Sequence, residues 1–199
     1  MKRALFTILA LLLCFSLFAC KKEDDTETNF VKFTMEDGAT FVVELYPDKA
    51  PVTVENFKKL VSEGFYDGLT FHRIAKGFVI QGGDPNGNGS GNSGTKILGE
   101  FDLNPDFEGK NDISHKRGVI SMARSTPYNS ASCQFFIMHA NNTDLDGLYA
   151  AFGCVVEGME TIDAIAEAEV TSNIRGEKSV PLDPPVIQSA VLIDYTPAS

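Results

Sequence analysis

Phe71-His72-Arg73-Ile74-Ala75-Lys76-Gly77-Phe78-Val79-Ile80-Gln81-Gly82-Gly83-Asp84 is the stretch on which the reading of the architecture turns. Two short β-rich runs, Phe71 to Ile74 and Phe78 to Gly82, are bounded here by turn residues. By the two-residue period of a strand, Val79 and Gln81 share one face. On either side, runs of the same kind occur at Phe30 to Met35, Thr40 to Tyr46, Val119 to Ala123, Gln134 to His139, Ala151 to Val156 and Val186 to Tyr195. The Glu-Asp-Gly at residues 36–38 marks a hairpin between the first two, since glycine supplies the positive φ of a tight turn. Two segments have helical spacing instead. In Pro51 to Glu63 the residues Val54, Phe57, Leu60 and Val61 recur at steps of three and four, with proline at the start and Gly64 at the end. In Met159 to Ala168, Met159, Ile162, Ile165 and Ala166 share a face. The expected fold is mainly β, a closed eight-stranded barrel capped by two α-helices.

The chain of 199 residues is organised around this unit. Lys2 and Arg3 precede an apolar run from Ala4 to Ala19, broken only by Thr7 and Ser16, which reads as a secretory signal too short to favour a permanent span. It ends in Leu17-Phe18-Ala19-Cys20, which resembles a bacterial lipobox and implies that Cys20 is acylated and becomes the first mature residue. Residues 21–29 hold no apolar side chain and are expected to form a flexible tether. The expected organisation is a lipoprotein signal over 1–19, an acylated cysteine and tether over 20–29, and one folded domain over 30–199. The formal net charge of −10 argues against nonspecific binding of nucleic acid or anionic lipid, so the expected partners are polypeptides, with the membrane reached through Cys20. No coiled-coil pattern or long apolar surface run is present, and a monomer is expected.

The sequence carries little sign of hydrolytic or metal chemistry. His72, His115 and His139 fall in no metal spacing and accompany no nucleophile elbow, so neither metal nor cofactor is expected. The Gly/Asn/Ser-rich run from Gly82 to Gly94 is not a phosphate loop, because Lys96 follows Thr95 rather than preceding it and no helix comes next. With Cys14 and Cys20 assigned to the signal and the anchor, Cys133 and Cys154 remain, flanking the turn region around Thr143 and Asp144. A hairpin there would set them roughly opposite each other and permit a disulfide; two buried free thiols are the preferred reading.

Phe71-His72-Arg73-Ile74, Gly77 to Asp84, Gly118-Val119-Ile120-Ser121-Met122-Ala123, Ser132-Cys133-Gln134-Phe135-Phe136-Ile137, Leu145-Asp146-Gly147 and Phe152-Gly153, with Thr53 to Phe57 ahead of them, together resemble the cyclophilins over the first strand to about Leu192. The resemblance implies an antiparallel barrel with a peptide groove on its outer face, and isomerisation of Xaa-Pro bonds. It assigns Arg73 as the catalytic residue. It gives Phe78, Val79, Phe136 and Leu145 as the seat of the proline ring, and Gln81 as a hydrogen-bonding partner of the substrate backbone. Gln134, Ala123 and Arg124 map to the strand and loop that hold the residues before the proline. His72 reads as a neutral residue packed behind the arginine, since a bond rotation moves no proton. The chain departs from the family pattern where Asp144 replaces a tryptophan, Tyr149 a groove histidine and Val79 a methionine, and it contains no Trp at all. Tyr149 still offers a ring and a hydroxyl to substrate; Asp144 either favours basic peptides or points to solvent. The expected function is a peptidyl-prolyl isomerase acting on exported proteins, lipid-anchored in a bacterial envelope, with the outer membrane as the expected site. The altered rim motivates the alternative, a noncatalytic peptide-binding or chaperone module on the same scaffold.

Overall fold

The computed structural model describes residues 28–196. Cys20, the signal and most of the expected tether lie outside the described residues. The strands are β1 (Phe30–Met35), β2 (Thr40–Leu45), β3 (Arg73–Ala75), β4 (Val79–Gly82), β5 (Val119–Met122), β6 (Phe135–Met138), β7 (Ala151–Glu157), β8 (Val170–Ser172), β9 (Lys178–Pro181) and β10 (Ile187–Ile193). The helices are α1 (Pro51–Ser62) and α2 (Met159–Ala166). Alternation decides which way each strand faces. In β1, Val31, Phe33 and Met35 are buried and their neighbours are not. α1 buries Thr53, Val54, Phe57, Leu60 and Val61 on one side. Its first turn lacks a local side-chain cap; the buried Glu100 carboxylate instead accepts the backbone N–H groups of Val52 (3.0 Å) and Thr53 (2.7 Å), satisfying donors every helix start leaves open.

The eight-stranded sheet runs β10-β1-β2-β7-β5-β6-β4-β3, and every neighbouring pair is antiparallel. It is an open half-barrel rather than the closed barrel expected. At the seam between β10 and β3 no ladder forms; there is a single bridge, Thr70 to Val186, with Phe71 N–H donating to Pro185 O (3.0 Å) and Ile187 N–H to Leu69 O (2.8 Å). Pro184 and Pro185 precede β10 there, and without N–H groups they cannot extend a ladder toward β3. The expected strand at Phe71 to Ile74 is correspondingly shifted, starting at Arg73 and leaving Phe71 and His72 buried ahead of it.

Two apolar layers result. The main core lies on one side of the sheet, where Phe57 meets Tyr66, Phe135 and Phe152 at centroid distances of 5.0–5.7 Å. A smaller cluster, with Val79, Phe136 and Met138, lies on the opposite side of the same strands. The adjacent rings of Phe135 and Phe136 thus serve different layers, as the strand period demands. β5 stands between β6 and β7, so the hairpin expected to bring Cys133 and Cys154 together does not form. Cys133 is in the main core, Cys154 packs against the second cluster, and both are free thiols. The hairpin of β8 and β9, outside the main sheet and against β3, was not legible in the sequence.

Candidate active site

The second apolar layer is the floor of a groove. In the strand registers Arg73 pairs with Gln81, Gln81 with Phe136 and Phe136 with Ser121, so these four form one row across β3, β4, β6 and β5. Strands in a sheet lie about 4.8 Å apart, which puts the guanidinium stem and the Phe136 ring within the span of a short peptide. Over this row lies a cavity of about 640 Å³. It collects nine of the residues singled out in the sequence: Arg73, Phe78, Val79, Gln81, Ala123, Arg124, Phe136, Leu145 and Tyr149. The tenth, Gln134, lines an adjoining depression of about 260 Å³ that shares Gln81, Ala123 and Arg124 with the first.

Each side chain is held by something specific. Phe136 is almost wholly buried; its face stacks on His115 (6.0 Å between centroids) and the Tyr149 ring meets it edge-on at 5.4 Å. His115 is fixed between Asp146, whose carboxylate lies 2.9 Å from Nδ1, and the Ser121 hydroxyl, 3.1 Å from Nε2. Burial lowers the His115 pKa although Asp146 works the other way. Burial, with the Asp84 carboxylate opposing and Arg73 adding to it, also lowers that of His72, which is buried and does not line the groove. Both histidines are therefore neutral at neutral pH, and His115 is the one that braces the groove floor.

At one end Gln81 Nε2 donates to Gln134 Oε1 (3.0 Å), and Gln134 Nε2 donates in turn to the carbonyls of Gly89 (3.1 Å) and Gly91 (2.8 Å). This ties the glycine-rich loop to the sheet. The loop is also organised from within: burial pushes the Asp84 carboxyl up, but the backbone N–H groups of Asn86, Asn88 and Gly89 outweigh it and hold the carboxyl below its ordinary value. Arg124 spans three rings, those of Phe101, Tyr128 and Tyr149, at 4.9–5.3 Å, and donates to the carbonyls of Leu148, Ser125 and Thr126. It forms a braced wall rather than a free cation. Asp144 is exposed and lies outside the groove lining; its backbone N–H donates to Asn142 Oδ1, and among the described residues its carboxylate has no hydrogen-bond partner.

Arg73 stands at the other end, over the Phe78 ring at 5.8 Å. Its partner is Glu177 on the β8–β9 turn: Nε donates at 3.1 Å and Nη2 at 2.5 Å to the two carboxylate oxygens. Asn173, Ile174, Arg175 and Glu177 complete the groove wall on this side. Neither Glu177 nor His115 was assigned a place in the site from the sequence. Glu177 is 104 positions from Arg73 and belongs to no run with a period; the only trace of His115's role is its partner Asp146 in the Leu-Asp-Gly segment. Among the described residues no cluster of three or more His, Cys, Asp or Glu is placed to hold a metal ion. The arrangement offers an apolar seat, amide hydrogen-bonding groups and a fixed cationic donor. The Ser121 hydroxyl beside His115 is fully buried and, like His115, does not line the groove, so among the described groove residues no nucleophile stands beside a base, which fits a reaction that only turns a bond.

Comparison with known proteins agrees. The family model described as cyclophilin type peptidyl-prolyl cis-trans isomerase/CLD matches residues 30–192. Peptidyl-prolyl cis-trans isomerase B of Bacillus subtilis is 43% identical over 145 residues, covering 73% of this chain and 96% of the relative. Peptidyl-prolyl cis-trans isomerase A of Dickeya dadantii is 38% identical over 197 residues, covering 96% and 95%. A cyclophilin-type isomerase of Cryptosporidium parvum, crystallised in the presence of the dipeptide Ala-Pro, superposes with a TM-score of 0.70 at 29% identity, covering 83% of this chain and 99% of that one. With a family match across the whole folded unit and relatives of this similarity, the chain belongs to the cyclophilin-type peptidyl-prolyl cis-trans isomerases and is an enzyme of that activity.

Proposed function

We propose that the enzyme turns Xaa-Pro bonds of exported polypeptides in this groove, with Arg73 as the catalytic residue, while tethered to a bacterial envelope membrane through an acylated Cys20. The imide resists rotation by roughly 18–20 kcal/mol because of its partial double-bond character. Bringing exchange from tens of seconds to milliseconds takes about four to five decades, on the order of 6 kcal/mol of preferential binding to the twisted state. The proline ring enters the seat of Phe78, Val79, Phe136, Leu145 and Tyr149, which removes water from the imide. As the bond twists, its nitrogen becomes pyramidal and its lone pair, no longer delocalised into the carbonyl, is localised on it. Arg73 donates to the prolyl carbonyl or to that nitrogen, and its planar charged fork suits this better than a lysine. Gln81 and Gln134, with Ala123 and Arg124, hold the backbone before the proline.

The observation that supports this most is the row Arg73-Gln81-Phe136, which joins donor, amide and apolar floor on one face of adjacent strands. The Ala-Pro dipeptide present with the Cryptosporidium relative is in keeping with a proline-containing ligand. The export and anchoring part rests on the sequence 1–29: signal over 1–19, acylated Cys20 and a polar tether reaching the domain at 30–199. The outer membrane, on its periplasmic or surface face, is the proposed location, and the monomer the proposed state.

The test compares the full chain, Arg73→Ala and Cys20→Ser, each expressed in a bacterial host with lipoprotein processing. Isomerisation of a short Xaa-Pro peptide is expected to fall at least 100-fold in Arg73→Ala and to stay unchanged in Cys20→Ser. The parent chain is expected in the detergent-extracted membrane fraction, and Cys20→Ser outside it. A fully active Arg73→Ala would remove the arginine from the mechanism; a membrane-bound Cys20→Ser would remove the anchor.

A further inference from the structure

The Arg73–Glu177 pair lies in the groove and joins the β8–β9 hairpin to β3. The side chains are 29% and 39% exposed, and ion pairs this wet contribute little to stability. Its geometry is nonetheless specific. Glu177 receives Nε and one N–H of Nη2, the side-on edge of the fork. The two N–H groups of Nη1 and the second of Nη2 remain for the groove, and among the described residues no other acceptor takes them. Glu177 is itself held. Its Oε2 accepts from the Ser179 hydroxyl (2.9 Å) and from Asn173 Nδ2 (3.0 Å), while its backbone N–H donates to Asn173 Oδ1 (3.1 Å). Ser179 is fully buried, so this chain of contacts starts from a fixed point. The Arg73 guanidinium holds the Glu177 carboxyl below its ordinary range; burial opposes it, and Ser179 and Asn173 add to it.

We propose that Glu177 is a positioning residue for the isomerase reaction: it grips the Nε edge of Arg73 and aims the remaining donors at the twisting imide. This rests on the reading of Arg73 as the catalytic donor. An arginine stem has several free torsions, and a donor that must be found by rotation at each turnover stabilises a transition state less than one already in place. The carboxylate also tempers the cation's charge, so what Glu177 adds is orientation. The β8–β9 hairpin is then the arm that carries this group to the edge strand β3.

The test measures kcat and KM on an Xaa-Pro peptide for the full chain, Glu177→Ala, Glu177→Gln, Arg73→Ala and the double variant Arg73→Ala/Glu177→Ala. Glu177→Ala is expected to lower kcat about tenfold with KM within about twofold, and to lower the thermal midpoint modestly through the lost acceptor of the buried Ser179 hydroxyl, with the variant still folded at the assay temperature. Glu177→Gln, whose amide oxygen still accepts one N–H, is expected to recover part of the loss. In the Arg73→Ala background the substitution at 177 is expected to change nothing further. An unchanged or faster Glu177→Ala, with Arg73→Ala inactive, would overturn the positioning role while leaving the arginine's role intact. An equal loss in both backgrounds would also overturn it, by showing that the hairpin acts independently of Arg73. Arg73→Ala as fast as the parent would instead overturn the reading on which the proposal stands.

Discussion

Phe136 shows what one ring does in this site. Its neighbour Phe135 fills the main core, while Phe136 forms the groove floor between the His115 face and the Tyr149 edge. Phe136→Ala is expected to cost about 3 kcal/mol of stability, through lost burial and the cavity left above His115, and to raise KM because the proline ring loses its floor. Urea unfolding and peptide kinetics measure the two effects separately. Unchanged KM would mean that the ring supports the sheet without touching substrate. At this scale much of the site was legible: nine of the ten residues singled out line one cavity, and the tenth lines the depression beside it. They were legible because they sit in short segments whose order and spacing match a family. Glu177 was not. Its role depends on a carboxylate reaching a residue 104 positions away, and nothing local in Gly176-Glu177-Lys178 announces that contact.

Elements whose signal is periodic came out close to their expected bounds. α1 was expected over Pro51 to Glu63 and spans Pro51–Ser62, because its apolar spacing is strong and Gly64 stops it. α2 ends at Ala166 rather than Ala168. Its start depends on Gly158, which holds φ +80° directly after β7; a Cβ there would stand 2.3 Å from the Thr40 carbonyl oxygen and 2.7 Å from Phe41 Cα. Gly158→Ala is therefore expected to destabilise the fold by about 3 kcal/mol or more, from backbone strain and from forcing α2 off β2. Chemical denaturation checks this, and a variant as stable as the parent would show that β7 and α2 can separate freely. The β8–β9 hairpin leaves no such trace in the sequence, for the opposite reason. Its strands hold three and four residues, mostly polar or half-exposed, and one ends in proline, so no alternation is long enough to read. Such a hairpin exists because β3 offers an edge to pack against, and that edge is a product of the tertiary fold.

For the whole molecule, buried histidines and hydrogen-bonded carboxylates act in the same direction. The folded-state pKa values of His72 and His115 lie below the ordinary 6.5, so the unfolded chain binds protons first as pH falls. Their contribution is complete above about 6.5 and is lost as pH drops toward their folded values. Asp84 and Asp146 are also held low, against the effect of burial, by hydrogen bonds including those from Asn86 and His115; their contribution is present above about 4 and is lost below it. The urea midpoint is expected to fall in two stages, from pH 7 to 5 and again below 4; a midpoint constant between pH 7 and 5 would contradict the neutral, buried state of the histidines. The family, the two helices, the strands of the main sheet and the residues that come to line one groove can all be read along the chain. Those properties rest on local periodicity and on motifs that survive without coordinates. Only the tertiary structure decided that the sheet stays open beside Pro184 and Pro185, that Cys133 and Cys154 serve different layers, and that Glu177 grips Arg73. Those outcomes depend on which distant segments become neighbours, and that follows from how the strands stack across the sheet, not from the order in which they occur along the chain.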